Sequence, residues 1–463
     1  MDKALVEYLT EKGFEVIDSL SDKISTWQSW YAGAVDGFHD YKVYTGTTFA
    51  SRTRASLQLG KSVSEQLANL LFNEKCKIAV NSQATQEFID DMLDRNNMYI
   101  KLNESQEKKA ALGTMCYIPY FTSDGLKMNY ISADGLFPLS CENGVITELA
   151  VYSNTTSEGQ DYIFLQLFTL EEDHTYKIQN ILLETEEKGD KYIEVPLRDV
   201  TGYDKVEEEI LTKSTTKPFV IDRLNIANNI DPDNPLGIAV FANAIDSMKF
   251  CDLVYDSYMN EFELGKKRVL VAAEAINMMS GSPVFDPNDL VYYQLPEGMN
   301  IEGKPFIHEL NMTLRTTDHQ QALHQGLNIF SSQCGLGENY YKYEGSSIAT
   351  ATQVISENNT LFRTLKKHEI ILEAVLVDLV RLMVELGIKH SLATGLDPEA
   401  EVTVTFDDSI IEDKNTELVR MASEVAAGLI RPEIYLAYRY GKTEEEALKM
   451  MPPLPQMVEE GMP

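Results

Sequence analysis

The chain has 463 residues, 44% of them hydrophobic and 24% charged, with 40 Lys and Arg against 72 Asp and Glu, so its formal charge is −32. That length buries a large core and, at ~150 residues per unit, leaves room for about three units. The acid excess excludes an ordinary wrapping DNA or RNA binder, which neutralises phosphates with clustered Lys and Arg.

Residues 1–20 read as an amphipathic helix. They carry charges throughout, with no apolar region of the signal-peptide kind. The stretch that follows to about residue 50 is aromatic and irregular, with Trp27, Trp30, Tyr31, Phe38, Tyr41 and Tyr44. Helical spacing returns over Arg54–Phe72, where Leu57, Val63, Leu67, Leu70 and Leu71 fall on one side. Within it, Ala55–Ser62 (ASLQLGKS) fits a relaxed phosphate-loop pattern. That mechanism needs a Gly-rich loop after a buried strand, and VYTGTTFASRTR is not one, so an ordinary helix is expected. KIAV (Lys77–Val80) reads as a short strand and Thr85–Asn96 as a helix.

From about 110 to 220 short apolar runs alternate with turn signals, and YIFLQLF (Tyr162–Phe168) has the period of an antiparallel sheet. Beyond Pro235 a stripe of Phe241, Ala244, Met248, Cys251, Tyr255, Tyr258 and Phe262 recurs at 3-4-3-4 spacing. This fits a helix packed in its own chain equally well as one packed beside its copy in a neighbouring subunit. Residues 265–314 carry turns and short strands, and Thr317–Cys334 is helical again. Gly335–Asn359 (GLGENYYKYEGSSIATATQVISENN) begins as a glycine-flanked, tyrosine-rich segment. It runs into Ala349–Leu386, which has no Pro or Gly and is expected to be one helix ended by Gly387. Its apolar part, Ile370–Ile388, is cut by Glu373, Asp378, Arg381 and Glu385, which excludes a membrane span. A strand with Val402, Val404 and Phe406 on one face follows. Helices at Asn415–Gly428 and Thr443–Met451 come next, joined by LIRPEIYLAYRYG, before a proline-rich tail.

Catalytic patterns are weak. The five cysteines (Cys76, Cys116, Cys141, Cys251, Cys334) have no zinc spacing, and their odd number argues for reduced thiols. His319 and His324 are five apart, the wrong spacing for an i, i+4 metal pair. His308-Glu309 lies in a strand-like context without partners. Asp90-Asp91 and Asp407-Asp408 read as caps. No catalytic residue, cofactor or metal site is expected.

Two stretches carry a family resemblance: NPLGIAVFANAIDSMKFCDLVYDSYMNEFELGKKRVLV, and further on SSIATATQVISENNTLFRTLKKHE. With ASRTRASLQLGKSVSEQLANLLFNEKCKI and VTVTFDDSIIEDKNTELVRMASEVAAGLI, they make the chain similar to portal proteins of tailed bacteriophages, in the siphophage branch from Gram-positive hosts. The resemblance implies an α+β portal fold. Its parts would be a mixed wing (1–239), a stem helix (240–264), a clip (265–314), a second stem helix (315–334), a tunnel loop (335–348), a long wing helix with a strand (349–409) and a short helical crown (410–463). It implies a ring, usually a homododecamer, at one capsid vertex of the virion, assembled in the host cytoplasm. The ring would conduct double-stranded DNA and dock the terminase large subunit, the head-tail adaptor, and the major capsid and scaffolding proteins, with no membrane partner. On that basis Asn339, Tyr340, Tyr341, Lys342, Tyr343 and Ser346 would face DNA, with the glycines allowing backbone shifts. Phe241, Met248, Tyr255 and Phe262 would pack between subunits. The competing expectation is a soluble α+β enzyme or ligand-binding protein with an unrecognised pocket.

Overall fold

The computed structural model describes residues 3–73, 75–122, 125–185, 191–266, 268–272, 292–295, 307–310, 313–341, 351–406, 414–440 and 444–451. It is a mixed α and β protein in two units, Met1–Thr405 and Phe406–Pro463.

The first unit begins with α1 (Lys3–Glu11) and α2 (Ser21–Ala32). Helix α1 is shorter than expected. Gly13 takes φ +91° and the Phe14 N–H donates to the Leu9 carbonyl, which turns the chain back so that the Ile17 N–H reaches the Pro138 carbonyl. The stretch expected to be irregular contains α2, whose Ile24, Trp27 and Trp30 are buried at i, i+3, i+6 spacing. It also contains a hairpin of β1 (Asp40–Tyr44) and β2 (Phe49–Thr53). Helix α3 (Leu59–Leu71) starts after Gln58, which sits at φ 51°. Gly60 is buried inside α3 because a Cβ there would lie 2.8 Å from the Trp30 carbonyl oxygen. Lys61 pairs with Glu107 and Glu65. The glycine and lysine of the phosphate-loop look-alike therefore serve helix packing and ion pairing.

Strand β3 (Lys77–Val80), α4 (Gln83–Arg95) and α5 (Met98–Leu112) follow. Asp90 and Asp91 lie within α4 and are not caps. Asp91 pairs with Arg95, and Asp90 accepts a hydrogen bond from Gln86. Helix α5 escaped the sequence pattern because part of its inward face is polar: Ser105, Gln106 and Lys109 are all buried. Lys109 Nζ meets Asp222 Oδ1 at 2.9 Å, while Gln106 Nε2 and the Tyr117 hydroxyl donate to Asp222 Oδ2 at 2.8 and 3.0 Å.

The expected sheet region holds two antiparallel sheets. In one, β12 (Val220–Arg223), β4 (Thr114–Thr122) and β5 (Gly125–Ser132) lie in the order β12-β4-β5. In the other, β6 (Leu136–Glu142), β7 (Val145–Ser157), β8 (Gln160–Leu170), β9 (Tyr176–Thr185) and β10 (Tyr192–Val195) form a meander, with β11 (Glu209–Leu211) also paired to β9. Leu5 and Leu9 of α1 pack on its inner face with Phe137, Leu165, Leu167 and Leu183.

Helix α6 (Ile245–Leu264) starts five residues later than expected. Residues 240–244 form a turn held to α5 by the Val240 N–H to Ala110 carbonyl bond. Strands β13 (Arg268–Ala272), β14 (Tyr292–Leu295) and β15 (Ile307–Leu310) make a small sheet in the order β14-β13-β15. Helix α7 (Thr316–Gln333) and the 39-residue α8 (Ala351–Lys389) come next. At 1.5 Å per residue α8 is roughly 58 Å long. Gly387 does not end it. A Cβ there would lie 2.8 Å from the Phe88 ring, so this glycine lets α4 pack closely. Strand β16 (Val402–Thr405) pairs with β3.

The second unit contains α9 (Lys414–Ala426), α10 (Pro432–Tyr440) and α11 (Glu444–Met450). Helix α10 occupies what read as a connector, with Pro432 in its first turn, where a missing N–H costs nothing. Asp407-Asp408 lies outside the described residues. All five cysteines are free thiols, and all but Cys141 are buried.

Gly113 tests the packing directly. It follows α5 at φ +90°, and a Cβ would approach the Gly237 carbonyl oxygen to 2.4 Å. Gly113→Ala is expected to destabilise the protein by about 3 kcal/mol through backbone strain and overpacking, read as a lowered melting temperature.

Candidate functional site: the paired helices and the tyrosine turn

Helices α6 and α7 run antiparallel. Near one end the Ser247 hydroxyl donates to Gln333 Oε1 at 2.7 Å. At the other, Arg315 Nη2 donates to Glu261 Oε2 at 2.8 Å, and its backbone N–H and Nε donate to Glu261 Oε1. Between them Gly326 permits the close approach, since a Cβ would sit 2.8 Å from both Cys251 Sγ and the Phe250 ring. Tyr258 stacks on His319 with ring centroids 5.5 Å apart.

The body-facing start of α6 is fastened by a buried carboxylate. His39 Nδ1 accepts the Val35 N–H, so its Nε2 carries the proton and donates to Asp252 Oδ2 at 3.0 Å. The Ser56 hydroxyl donates to the same oxygen, and the Leu57 N–H to Oδ1 at 2.7 Å. One turn on, Asp256 Oδ1 accepts the Ala55 N–H. These bonds fix residues 55–57 and explain why α3 starts no earlier than Leu59.

The predicted stem stripe divides along this axis. Phe241 and Met248 are fully enclosed by their own chain, which corrects their assignment to a subunit boundary. Tyr255 is partly buried and Phe262 is exposed. On another face Phe250 and Leu253, absent from the stripe, are 43% and 47% exposed.

The turn after α7 is a Schellman cap. Gly335 has φ +78°, its N–H reaches the Ser332 carbonyl, and the Leu336 N–H reaches the Ser331 carbonyl. The Ser331 hydroxyl donates to the Gly337 carbonyl, and Asn328 exchanges hydrogen bonds with Asn339. Gly335 also lies against Thr364 of α8. These glycines, expected to permit backbone shifts, instead close a fixed turn on α7. Tyr340 donates its hydroxyl to Gln66 Oε1 on α3, and Tyr341 packs on Phe330 and Tyr340. Lys342, Tyr343 and Ser346 lie outside the described residues.

Helix α8 carries the turn into the core through Leu361, Leu365, Leu372, Leu376 and Leu379, all buried. His368 is buried too; burial and then the nearby Lys109 push its pKa down to about 3, and its Nδ1 accepts the Asn225 N–H. A cleft of about 1040 Å³ lies between α8 and the sheets, with Lys217, Asp378, Arg381 and Glu385 among its lining. Among the described residues no group of three or more His, Cys, Asp or Glu is placed to hold a metal ion. No helix there is long and apolar enough to cross a membrane.

An antiparallel helix pair, a capped turn and a long helix returning to the core thus follow one another along the chain. Residues 18–451 match the family model described as "Phage portal protein, SPP1 Gp6-like", and the chain belongs to that family. A solved structure described as "Neck of native GTA particle computed with C12 symmetry" is similar at 9% identity and a TM-score of 0.45, covering 83% of this chain and 88% of its own. Comparison with curated proteins finds no match.

Two measurements probe the helix pair. Arg315, first by its side chain and then by its backbone N–H, lowers the Glu261 pKa from 4.5 to about 2. A depressed carboxyl stabilises the fold above its ordinary value and loses that effect as pH falls through the folded one. The stability difference between wild type and Glu261→Gln is therefore expected to be constant above pH 4.5 and to vanish as pH falls from 4.5 to 2. Thermal unfolding across that range checks it. Asp252→Ala orphans three buried or half-buried donors and is expected to destabilise by roughly 3 kcal/mol, seen as faster hydrogen exchange at residues 55–57.

Proposed function

We propose that this protein forms the portal ring at one vertex of the capsid, through which double-stranded DNA enters during packaging and leaves at ejection. The observation that carries this reading is family membership across residues 18–451. The antiparallel α6–α7 pair, leading through a capped turn into α8, supports it as a stem feeding a loop and a wing helix. The small sheet between α6 and α7 serves as the clip. There the ring docks the terminase large subunit and then the head-tail adaptor. The wing faces the major capsid and scaffolding proteins. The second unit is the crown. Assembly takes place in the host cytoplasm and the product is part of the virion.

The DNA-facing part of the tunnel loop is best assigned to Lys342, Tyr343 and Ser346. Asn339, Tyr340 and Tyr341 are already engaged by their own chain and act as its anchor. Neutral hydroxyls and a single lysine per chain give phosphates weak, replaceable contacts, which suits DNA in motion. The protein acts as a conduit and performs no chemistry. The motor's nucleotide hydrolysis resides in the terminase, consistent with Gly60 and Lys61 serving helix packing and ion pairing.

Electron microscopy of the purified protein tests this. End-on views are expected to show a ring of about twelve chains around a hole wide enough for a duplex. A protein that stays monomeric or dimeric at high concentration, or a ring with no axial opening, overturns the reading.

A further inference from the structure

The hairpin β1–β2 is not absorbed by the function described so far. Its tip pairs Tyr44 with Phe49 across the strands, ring centroids 5.3 Å apart, yet these side chains are 61% and 70% exposed. Val43 beside them is exposed as well. A two-stranded hairpin is marginal alone in water, and an exposed aromatic pair at its end adds no core. The hairpin is nonetheless held firmly at its base. Arg54 lies over the Phe38 and Tyr41 rings and donates to the Phe38 carbonyl, and residues 55–57 are fixed to Asp252 and Asp256 of α6. A rigidly based, aromatic-tipped projection is built to contact something outside the protomer.

The charge of the hairpin narrows what that is. Residues 41–64 contain Lys42, Arg52, Arg54 and Lys61 and no Asp or Glu, in a chain with 72 acids. Helix α6 is the opposite in composition: it carries Asp246, Asp252, Asp256, Glu261 and Glu263 against Lys249, although Asp246 pairs with Lys249, Glu261 with Arg315 of α7, and Asp252 is buried. Two of the exposed apolar residues of α6, Phe250 and Leu253, are three apart on one face; Met259 and Phe262 are exposed further along. Asp252 and Asp256, which hold the chain's own residues 55–57, are four apart on another.

We infer that the β1–β2 hairpin of one protomer packs on the Phe250–Leu253 face of α6 in the adjacent copy. The inference rests on the ring reading above and names a contact that closes the ring. Rotation about a channel axis preserves height along that axis. A hairpin based at the level of Asp252 and Asp256 on its own α6 therefore meets the neighbour's α6 at a similar level. Knob and receptor are different surfaces of one chain, which is the heterologous arrangement a cyclic ring needs. Tyr44 and Phe49 cover Phe250 and Leu253, while Lys42 and Arg52 sit among the helix's carboxylates. Duplex DNA fits less well, because phosphates offer an aromatic tip no apolar surface and two exposed cations hold them only weakly.

Cross-linking tests the contact. In full-length protein carrying Cys141→Ser, the double variant Phe49→Cys/Leu253→Cys is treated with a short bis-maleimide at ring-forming concentration. A ladder of covalent dimers and higher multimers is expected on denaturing gels, absent from either single variant. Tyr44→Ser/Phe49→Ser is expected to keep the wild-type circular dichroism and to raise the protomer–ring midpoint concentration roughly tenfold or more, as loss of interface aromatics does. Lys42→Glu/Arg52→Glu should shift it the same way, with an effect that shrinks at high salt. Rings that form normally from the serine variant, with no ladder from the cysteine pair, overturn the contact and leave the portal reading standing. Intact rings with weakened duplex binding assign the hairpin to DNA and likewise overturn it. If wild type forms no ring, the portal reading itself fails.

Discussion

The Asp252 carboxylate is the point on which the arrangement of this protomer turns. Its two oxygens accept a ring N–H, a hydroxyl and a backbone N–H from residues 39, 56 and 57, more than 190 positions away in the chain. Three consequences follow from one side chain. The start of α6 is locked to the N-terminal body, the hairpin is given a rigid base, and α3 is made to begin late. A buried carboxylate is tolerable only when its lone pairs are filled, so the bond set is all or nothing. Past Asp252 the exposure of α6 changes. Leu253, Met259 and Phe262 are exposed, while Met248 and Cys251 are enclosed. The helix leaves the body at that residue.

A second buried acid does comparable work for the sheets. Asp222 on β12 receives Lys109 and Gln106 from α5 and Tyr117 from β4, all of them buried. Nearby, His368 of α8 is held neutral by burial and by the proximity of Lys109, and accepts the Asn225 N–H. Breaking such a pair by removing one partner strands a charge, which is why buried pairs of this kind specify position more than they add stability. The two acids divide the labour. One ties the start of α6 to the N-terminal body, and the other ties β12 to α5 and β4.

Those same acids set the limit of what sequence could reveal. Helices with apolar stripes, such as α3, α7 and α8, were legible because burial and periodicity coincide there. Helix α5 was not, because Ser105, Gln106 and Lys109 fill inward positions where a pattern search expects apolar residues. Helix α2 was hidden by serines and aromatics although Ile24, Trp27 and Trp30 keep helical spacing. Gly387 misled for a related reason. A glycine in a long helix reads as a stop, but here it answers to Phe88, a residue nearly 300 positions away. The start of the tyrosine segment, read as a flexible loop, is a helix cap. The local signal, Gly-x-Gly after a helix, is common to caps and hinges, and only Asn328, Ser331 and Thr364 distinguish the two. On the stem stripe, spacing marked a side enclosed at Phe241 and Met248 but exposed at Phe262, and it passed over Phe250 and Leu253, since periodicity reports a face and not what covers it.

Charge raises a problem that a ring of such chains must solve locally. At −32 per protomer, copies repel one another. At physiological salt, however, charges are screened over about 8 Å. The total therefore matters less to assembly than the few groups that meet at each contact. In the proposed ring, acids away from the contacts would hold phosphates off and keep the particle soluble, provided the touching segments differ in sign. The acid-free window of residues 41–64 and the acid-rich α6 are such segments, and they lie side by side in the protomer, joined by Asp252 and Asp256. That adjacency means one interaction set fixes both halves of a repeating contact at once. In the ring proposed above, an error in placing α6 would displace the hairpin with it, so the angle between neighbours would be tied to this one bond set.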